Sequence, residues 1–354
     1  MYKKRICLIG QFPPPIHGLA KALETIRVSE YLKEKFVITH INITDNKKFV
    51  SHVKNIRRND SDIYYFTISH SKFGNIRDQI ILNELVKKQK KVIIHYHGGY
   101  FRELYNKMNF MQKKINDNLL AKVDNVIVLS QGLKRLFKGI VDESKIKICE
   151  NYVEDASLLS QDEFVGKMKK MREKEHIDIL YLSNFIKSKG YFDVLEVART
   201  YKDKPIKFHF AGKFFSQDDE NEFKNFITTN NLNNVHFYGV VDGEQKKKLI
   251  TNSDVSILPT YYHIEGQPIS LIEAMANGLT IITTNHAGIP DIVTKKNGYI
   301  VEPQNLAQIG SAVQDLVLNR EKLIEYGYTN REYALVSFKE IDYIKRLEKI
   351  FNEV

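Results

Sequence analysis

At 354 residues, 43% hydrophobic and 27% charged, the chain is too long for one ordinary core and reads as a water-soluble protein of two domains. No apolar run approaches the roughly 20 residues of a membrane span, and two cysteines, Cys7 and Cys149, both in strand-like runs, exclude a disulfide framework and suit a reducing cytosol. The net charge of +10 is uneven: residues 1–165 hold 28 Lys/Arg against 18 Asp/Glu, and residues 166–354 hold 25 against 25. A basic first half suits a phosphate-bearing acceptor or an anionic membrane surface. Nucleic acid is disfavoured, because no binding motif accompanies the charge.

Residues 1–10 begin with a basic cluster but carry only a short apolar run before Pro13-Pro14-Pro15, which predicts a first strand rather than a signal peptide. Strands are predicted at 5–10, 36–43, 62–68, 91–96, 125–129 and 145–149, then at 177–182, 207–211, 235–238, 255–258 and 279–283. Helix-period segments separate them, the pattern of parallel sheets with crossover helices. The polar, lysine-rich stretch 161–175 is the expected joint. That gives domains 1–165 and 166–337, each a Rossmann-like α/β unit, and a final helix at 338–354 built on Ile341, Ile344, Leu347, Ile350 and Phe351. Ligands of open parallel sheets bind beyond the carboxyl ends of the strands, and the chemically suggestive residues fall there.

The loop after the first strand, ending at His17-Gly18, lacks the dinucleotide Gly-x-Gly-x-x-Gly pattern. Asp60-Ser61-Asp62 precedes a strand and reads as a turn or helix cap rather than a metal site. His95 and His97 end the 91–96 strand, before Gly98-Gly99. His95 is expected to turn away into packing and His97 to face the ligand side. No carboxylate or third histidine is spaced to complete a metal site with them. Between 101 and 123, Phe101, Leu104, Tyr105, Met108, Met111, Ile115 and Leu119 share one helical stripe. It is either the underside of a helix covering the sheet or a partly exposed face that touches lipid or a lipid-linked acceptor.

Most informative is Glu265-Gly-Gln-Pro-Ile-Ser-Leu-Ile-Glu273, between an apolar strand and a helix that ends at Asn277-Gly278. Pro268 is predicted at the first helical position, with Glu265 on the loop and Glu273 in the second turn. Ile272, Met275, Ala276 and Leu279 then cover the sheet, while Glu273 shares a stripe with Ile269, Ser270 and Asn277. That stripe looks toward the helix N-terminus, where free N–H groups and the dipole hold an anion such as a diphosphate. Two carboxylates for sugar hydroxyls around an amide cradle for phosphate fit a nucleotide-sugar. The plain alternative is a solvated loop glutamate and an ordinary exposed helix glutamate.

The run continues Glu273-Ala-Met-Ala-Asn-Gly278-Leu-Thr-Ile-Ile, then Ala287-Gly-Ile-Pro-Asp-Ile-Val293 and Asn297-Gly-Tyr-Ile-Val-Glu-Pro303. In order and spacing these blocks resemble the family 4 glycosyltransferases, retaining nucleotide-sugar-dependent enzymes of the GT-B fold. The resemblance implies two Rossmann-like domains facing across a cleft, with the C-terminal helix crossing back to the first, and no metal or other cofactor. It implies a hexose-type sugar moved from a nucleotide-sugar, such as a UDP-sugar, to a glycan or lipid-linked acceptor in cell-surface polysaccharide assembly. The expected location is cytoplasmic or peripheral at the inner face of the membrane.

The same resemblance assigns residues. His97, Lys189 and Glu265 would be catalytic. Lys189-Gly190 matches the motif lysine that neutralises the donor diphosphate, but Asn184 replaces the motif arginine; Lys187, or a neutral hydrogen bond from Asn184, would make up the difference. Glu265 with the Gly266 and Gln267 backbone would bind the sugar, Ile269 and Ser270 the diphosphate, and Glu273 the ribose. Gly18 matches one glycine of a phosphate-approaching turn, with His17 in place of the other. Gly239 and Val240 resemble the turn that meets the base, and Ser130 and Asn151 the strand-end and hinge elements. The rival reading, suggested by Asn184, is a non-catalytic GT-B subunit that binds a partner glycosyltransferase or a glycan; a GT-B epimerase or phosphorylase is a lesser alternative.

Overall fold

The computed structural model describes residues 2–14 and 18–354. The chain divides into two compact units, Met1–Glu150 with Ile341–Val354, and Asn151–Glu340. Unit one runs β1 Arg5–Gly10, α1 Gly18–Val28, α2 Glu30–Lys33, β2 Val37–Asn42, α3 Phe49–Arg58, β3 Ile63–Thr67, α4 Lys72–Lys87, β4 Lys91–His95, α5 Phe101–Asn106, α6 Phe110–Leu120, β5 Asn125–Val128 and β6 Ile146–Ile148. Its strands form one parallel sheet in the order β2-β1-β3-β4-β5-β6. β1, β3 and β5 are buried almost end to end, as a sheet covered by crossover helices on both faces requires.

Unit two runs α7 Gln161–Glu173, β7 Ile177–Leu182, α8 Tyr191–Thr200, β8 Ile206–Ala211, α9 Gln217–Thr229, β9 Val235–Phe237, α10 Gly243–Asn252, β10 Val255–Leu258, α11 Ile269–Ala276, β11 Thr280–Thr284, β12 Gly298–Val301, α12 Leu306–Leu318 and α13 Glu321–Ser337. Its parallel sheet has the order β12-β11-β10-β7-β8-β9. The last helix, α14 Glu340–Asn352, packs in unit one. There Phe351 sets its ring edge-on to Phe36 and Tyr65, and Tyr31 donates to Glu348 at 2.7 Å. Each unit is a doubly wound α/β sheet, as the sequence resemblance leads one to expect.

Several local expectations shift. The stretch 161–175, expected as the joint, is mostly α7, started by a Ser160–Glu163 capping box; the division falls at Glu150. β12 was hidden inside a motif block because its run is short and begins with glycine. The stripe at 101–123 is two helices, because Asn109 caps α6 by accepting from the Gln112 N–H at 2.8 Å. Phe101, Leu104, Met108 and Leu119 are buried, whereas Met111 and Ile115 are exposed. Asp60 and Asp62 cap nothing: Asp62 accepts from the Arg5 N–H at 2.7 Å, and Asp60 pairs with the Arg5 guanidinium at 2.9 Å, tying β3 to β1.

Candidate active site

α11 follows β10 through the loop 259–268. Pro268 occupies the N-cap rather than the first helical position, with φ −64° and ψ 115°. Its ψ is extended and it has no side-chain group to cap with, so the first N–H groups of the helix receive no side-chain cap. Among the described residues, the N–H groups of Gly266, Gln267, Ile269 and Ser270 donate no hydrogen bond, whereas the Gly266 and Gln267 carbonyls accept from the Gly288 N–H at 2.9 Å and the Asn151 side chain at 2.8 Å. The Gln267 side chain is also used, its oxygen accepting from the Asn151 N–H at 2.7 Å.

Neither glutamate is solvated. Glu265 is buried, with Oε2 3.2 Å from Lys189 Nζ and receiving the Thr260 hydroxyl at 3.3 Å. Glu273 is buried too, and its Oε1 accepts from Lys246 Nζ at 2.6 Å. α11 is apolar on every side but this one, and its far end is fixed by Asn277, which accepts from the Leu159 N–H at 2.8 Å and donates to the Ser157 carbonyl at 3.1 Å. A buried carboxylate persists only when paired. These two are held beside the open amides.

Lys189 reaches Glu265 because its loop is pinned to the one after β10. The Tyr261 N–H donates to the Ser188 carbonyl at 2.8 Å, and Gly190, at φ +76°, lies where a Cβ would come within 2.6 Å of the Pro259 carbonyl oxygen. Only glycine accepts both the left-handed backbone and that approach. The Lys189 ammonium sits 5.3 Å from the centre of the Tyr262 ring, whose phenol is pushed above its usual pKa by burial and the Glu265 charge.

The other assigned residues scatter more. Asn184 is exposed at the end of β7. Lys187 pairs with Glu222 at 2.9 Å and Asp219 at 3.4 Å. Gly239, at φ +66°, accepts from the Gly212 N–H at 2.7 Å, and Val240 beyond it is exposed.

In unit one, Gly18 opens α1, and His17 lies outside the described residues. His95 and His97 do not diverge: their rings lie 3.8 Å apart, because residues two apart on an extended chain share a face. His95 is fully buried against Tyr65. The Nε2 of His97 is enclosed and bonded to nothing among the described residues. Burial, helped by the His70 charge, lowers its pKa to about 3, so the ring is neutral at physiological pH. Ser130 and Asn151 are both buried.

Sequence reasoning missed Thr260, Tyr262 and Lys246. The last is one of three consecutive lysines, 246–248, and nothing in the chain marks which turns inward.

Residues 166–333 match the family model described as glycosyl transferases group 1. That match covers just under half of the chain and lies within unit two, which is similar to the group 1 glycosyltransferases. The chain is 24% identical, over 90% of its length and 87% of the relative's, to an uncharacterized 41.2 kDa protein of the cps region of Klebsiella pneumoniae. It is 25% identical over 65% of its length to a poly(ribitol-phosphate) alpha-N-acetylglucosaminyltransferase of Staphylococcus aureus (strain COL), of which it spans 44%. The chain shares its fold with an Anabaena protein, HepE, solved in complex with UDP and glucose, at TM-score 0.76 and 13% identity over 99% of this chain and all of that one.

Proposed function

We propose that this chain is a glycosyltransferase that moves a hexose-type sugar, with retention of configuration, from a UDP-sugar to a hydroxyl of a glycan or lipid-linked acceptor in cell-surface polysaccharide assembly. The observation that carries the reading is the β10–α11 corner: two buried, cation-paired carboxylates flank four N–H groups that donate no hydrogen bond. There Glu265 and the Gly266–Gln267 amides hold sugar hydroxyls, Ile269 and Ser270 with Lys189 hold the diphosphate, and Glu273 takes the ribose, while Gly239 and Val240, on the loop after β9, meet the base. Oriented amides and a fixed ammonium stabilise charge as it grows on the leaving phosphate. On this reading the bond from the anomeric carbon to the phosphate oxygen breaks as the acceptor oxygen bonds on the same face, and the departing phosphate takes the acceptor proton. His97, a neutral imidazole, is assigned to a substrate hydroxyl. The UDP complex of the Anabaena protein supports the choice of base.

Calorimetric titration with UDP, GDP and ADP, followed by a screen of nucleotide-sugars for slow hydrolysis, tests this. Tight binding of none of them would leave the non-catalytic subunit.

The membrane side of the reading rests on one face of unit one. Phe73, Ile76 and Ile80 line the outer side of α4, and Phe110, Met111 and Ile115 that of α6, with Phe73 84% and Phe110 80% exposed. Between these helices lie polar groups instead: Gln112 donates to Asn75 at 2.9 Å and Gln79 to the Gln112 carbonyl at 2.9 Å. Residues 72–122, the segment that carries both helices, hold 11 Lys/Arg against 4 Asp/Glu, a net +7. An anionic bilayer surface satisfies both the charge and the apolar side chains. The chain has no tryptophan, so Phe110→Trp is a clean reporter. Its emission should shift to the blue with anionic vesicles and not with neutral ones. An unmoved spectrum, or a dimer that Phe73→Ser dissolves, would overturn the assignment.

A further inference from the structure

We infer that Lys213, on the loop after β8, supplies the second cation for the donor diphosphate, from the strand next to the one where Asn184 leaves a neutral side chain. The inference rests on the nucleotide-sugar reading above. It starts from charge. Every cation described so far at this end of the sheet is already balanced: Lys189 by Glu265, Lys246 by Glu273, and Lys187 by Asp219 and Glu222. A diphosphate brought to the corner would meet oriented amides but no net positive charge, while its own charge grows as the sugar departs.

Lys213 is placed to supply it. β7 and β8 pair from Ile177↔Ile206 to Leu182↔Ala211, and the pairing continues past both strands. The Ser183 N–H donates to the Ala211 carbonyl at 3.0 Å, the Phe185 N–H donates to the Lys213 carbonyl at 2.9 Å, and Phe185 bridges Phe214. Two features fix this register. The Phe185 and Phe214 rings stack at 4.0 Å, and Gly212 lies so close that a Cβ there would come 1.9 Å from the Ser183 carbonyl oxygen.

Asn184 and Lys213 are therefore register neighbours, one strand spacing of about 4.8 Å apart, and both are exposed. Among the described residues no carboxylate pairs with Lys213. Its ammonium rests 5.6 Å from the ring centre of the exposed Phe215, a hold that is weak at an exposed site. The flexible four-carbon stem of a lysine carries the charge across one strand spacing to the position Asn184 occupies.

The test is UDP titration and donor turnover for the wild type, Lys213→Ala, and Lys213→Ala combined with Asn184→Arg. Lys213→Ala should weaken UDP about 10-fold, the size of one charge-assisted hydrogen bond, lower turnover at least as much, and leave uridine affinity unchanged. Asn184→Arg in that background should restore most of the loss, because the charge is returned from the adjacent strand. Lys187→Ala, whose cation is held elsewhere, should stay within about 2-fold of wild type. UDP affinity and turnover of Lys213→Ala within 2-fold of wild type, or a loss that Asn184→Arg does not repair, would overturn the inference and leave the donor site standing. A wild type that binds no UDP would take both down.

Discussion

Two strand-to-helix corners at the carboxyl ends of parallel sheets, β10–α11 in unit two and β4–α5 in unit one, handle buried polar groups in opposite ways. In the first, burial is offset by charge: each glutamate has its lysine, and among the described residues the amides between them donate no hydrogen bond. In the second, burial is met by neutrality: His95 and His97 stack, and desolvation keeps both uncharged. A charged corner recognises and stabilises charge, while a neutral one offers hydrogen bonds without attracting an anion. The contrast fits a division of labour in which diphosphate chemistry belongs to unit two.

The comparison breaks most sharply at the Lys189–Glu265 pair. Lys189→Ala should lower transfer about 100- to 1000-fold, the range for a lost charge stabiliser. It should also cost about 3–5 kcal/mol of stability, because Glu265 is left buried without its cation, readable as a lower denaturant midpoint. If turnover survives, the corner is structural. Glu273→Ala should weaken UDP about 10-fold with a smaller effect on turnover at saturating donor; unchanged UDP affinity would remove the ribose assignment.

The neutral corner predicts the smallest effect, and it appears in pH. The folded pKa of His97, near 3, lies below the ordinary value of about 6.5. Below that ordinary value the unfolded chain takes up a proton that the folded corner refuses. Stability is therefore unaffected above about pH 6.5 and declines as pH falls from there toward 3. His97→Gln should make the fall in melting temperature between pH 6.5 and 4.5 shallower, by about 2–4 °C. An identical slope would mean that the ring titrates freely in the folded protein.

Much of unit two was legible in the chain. Period and turn residues gave the predicted strands from β7 to β11 within two residues, because each is an apolar run bounded by polar or glycine punctuation. Glu265 and Glu273 stood out by spacing. Their ion pairs did not, because Lys246 lies 27 positions from Glu273 in sequence and no local pattern selects it from its lysine neighbours. The 101–123 stripe was only partly legible for the same reason: helical period says which side chains share a face, and only the packing of α4 beside α6 decided that polar groups meet between those helices while Phe73 and Phe110 face out.

Sequence by itself determined the α/β class, the strand-loop-helix segment with its paired acids, and the neutral residue at position 184. These depend on periodicity and local backbone preference, which act over a few residues. Tertiary structure alone decided which cations those acids hold, that Lys187 is already spent on α9, and that Lys213 lies beside Asn184. Each depends on register between strands and on contacts between distant segments, and such proximity comes only from a closed, close-packed fold.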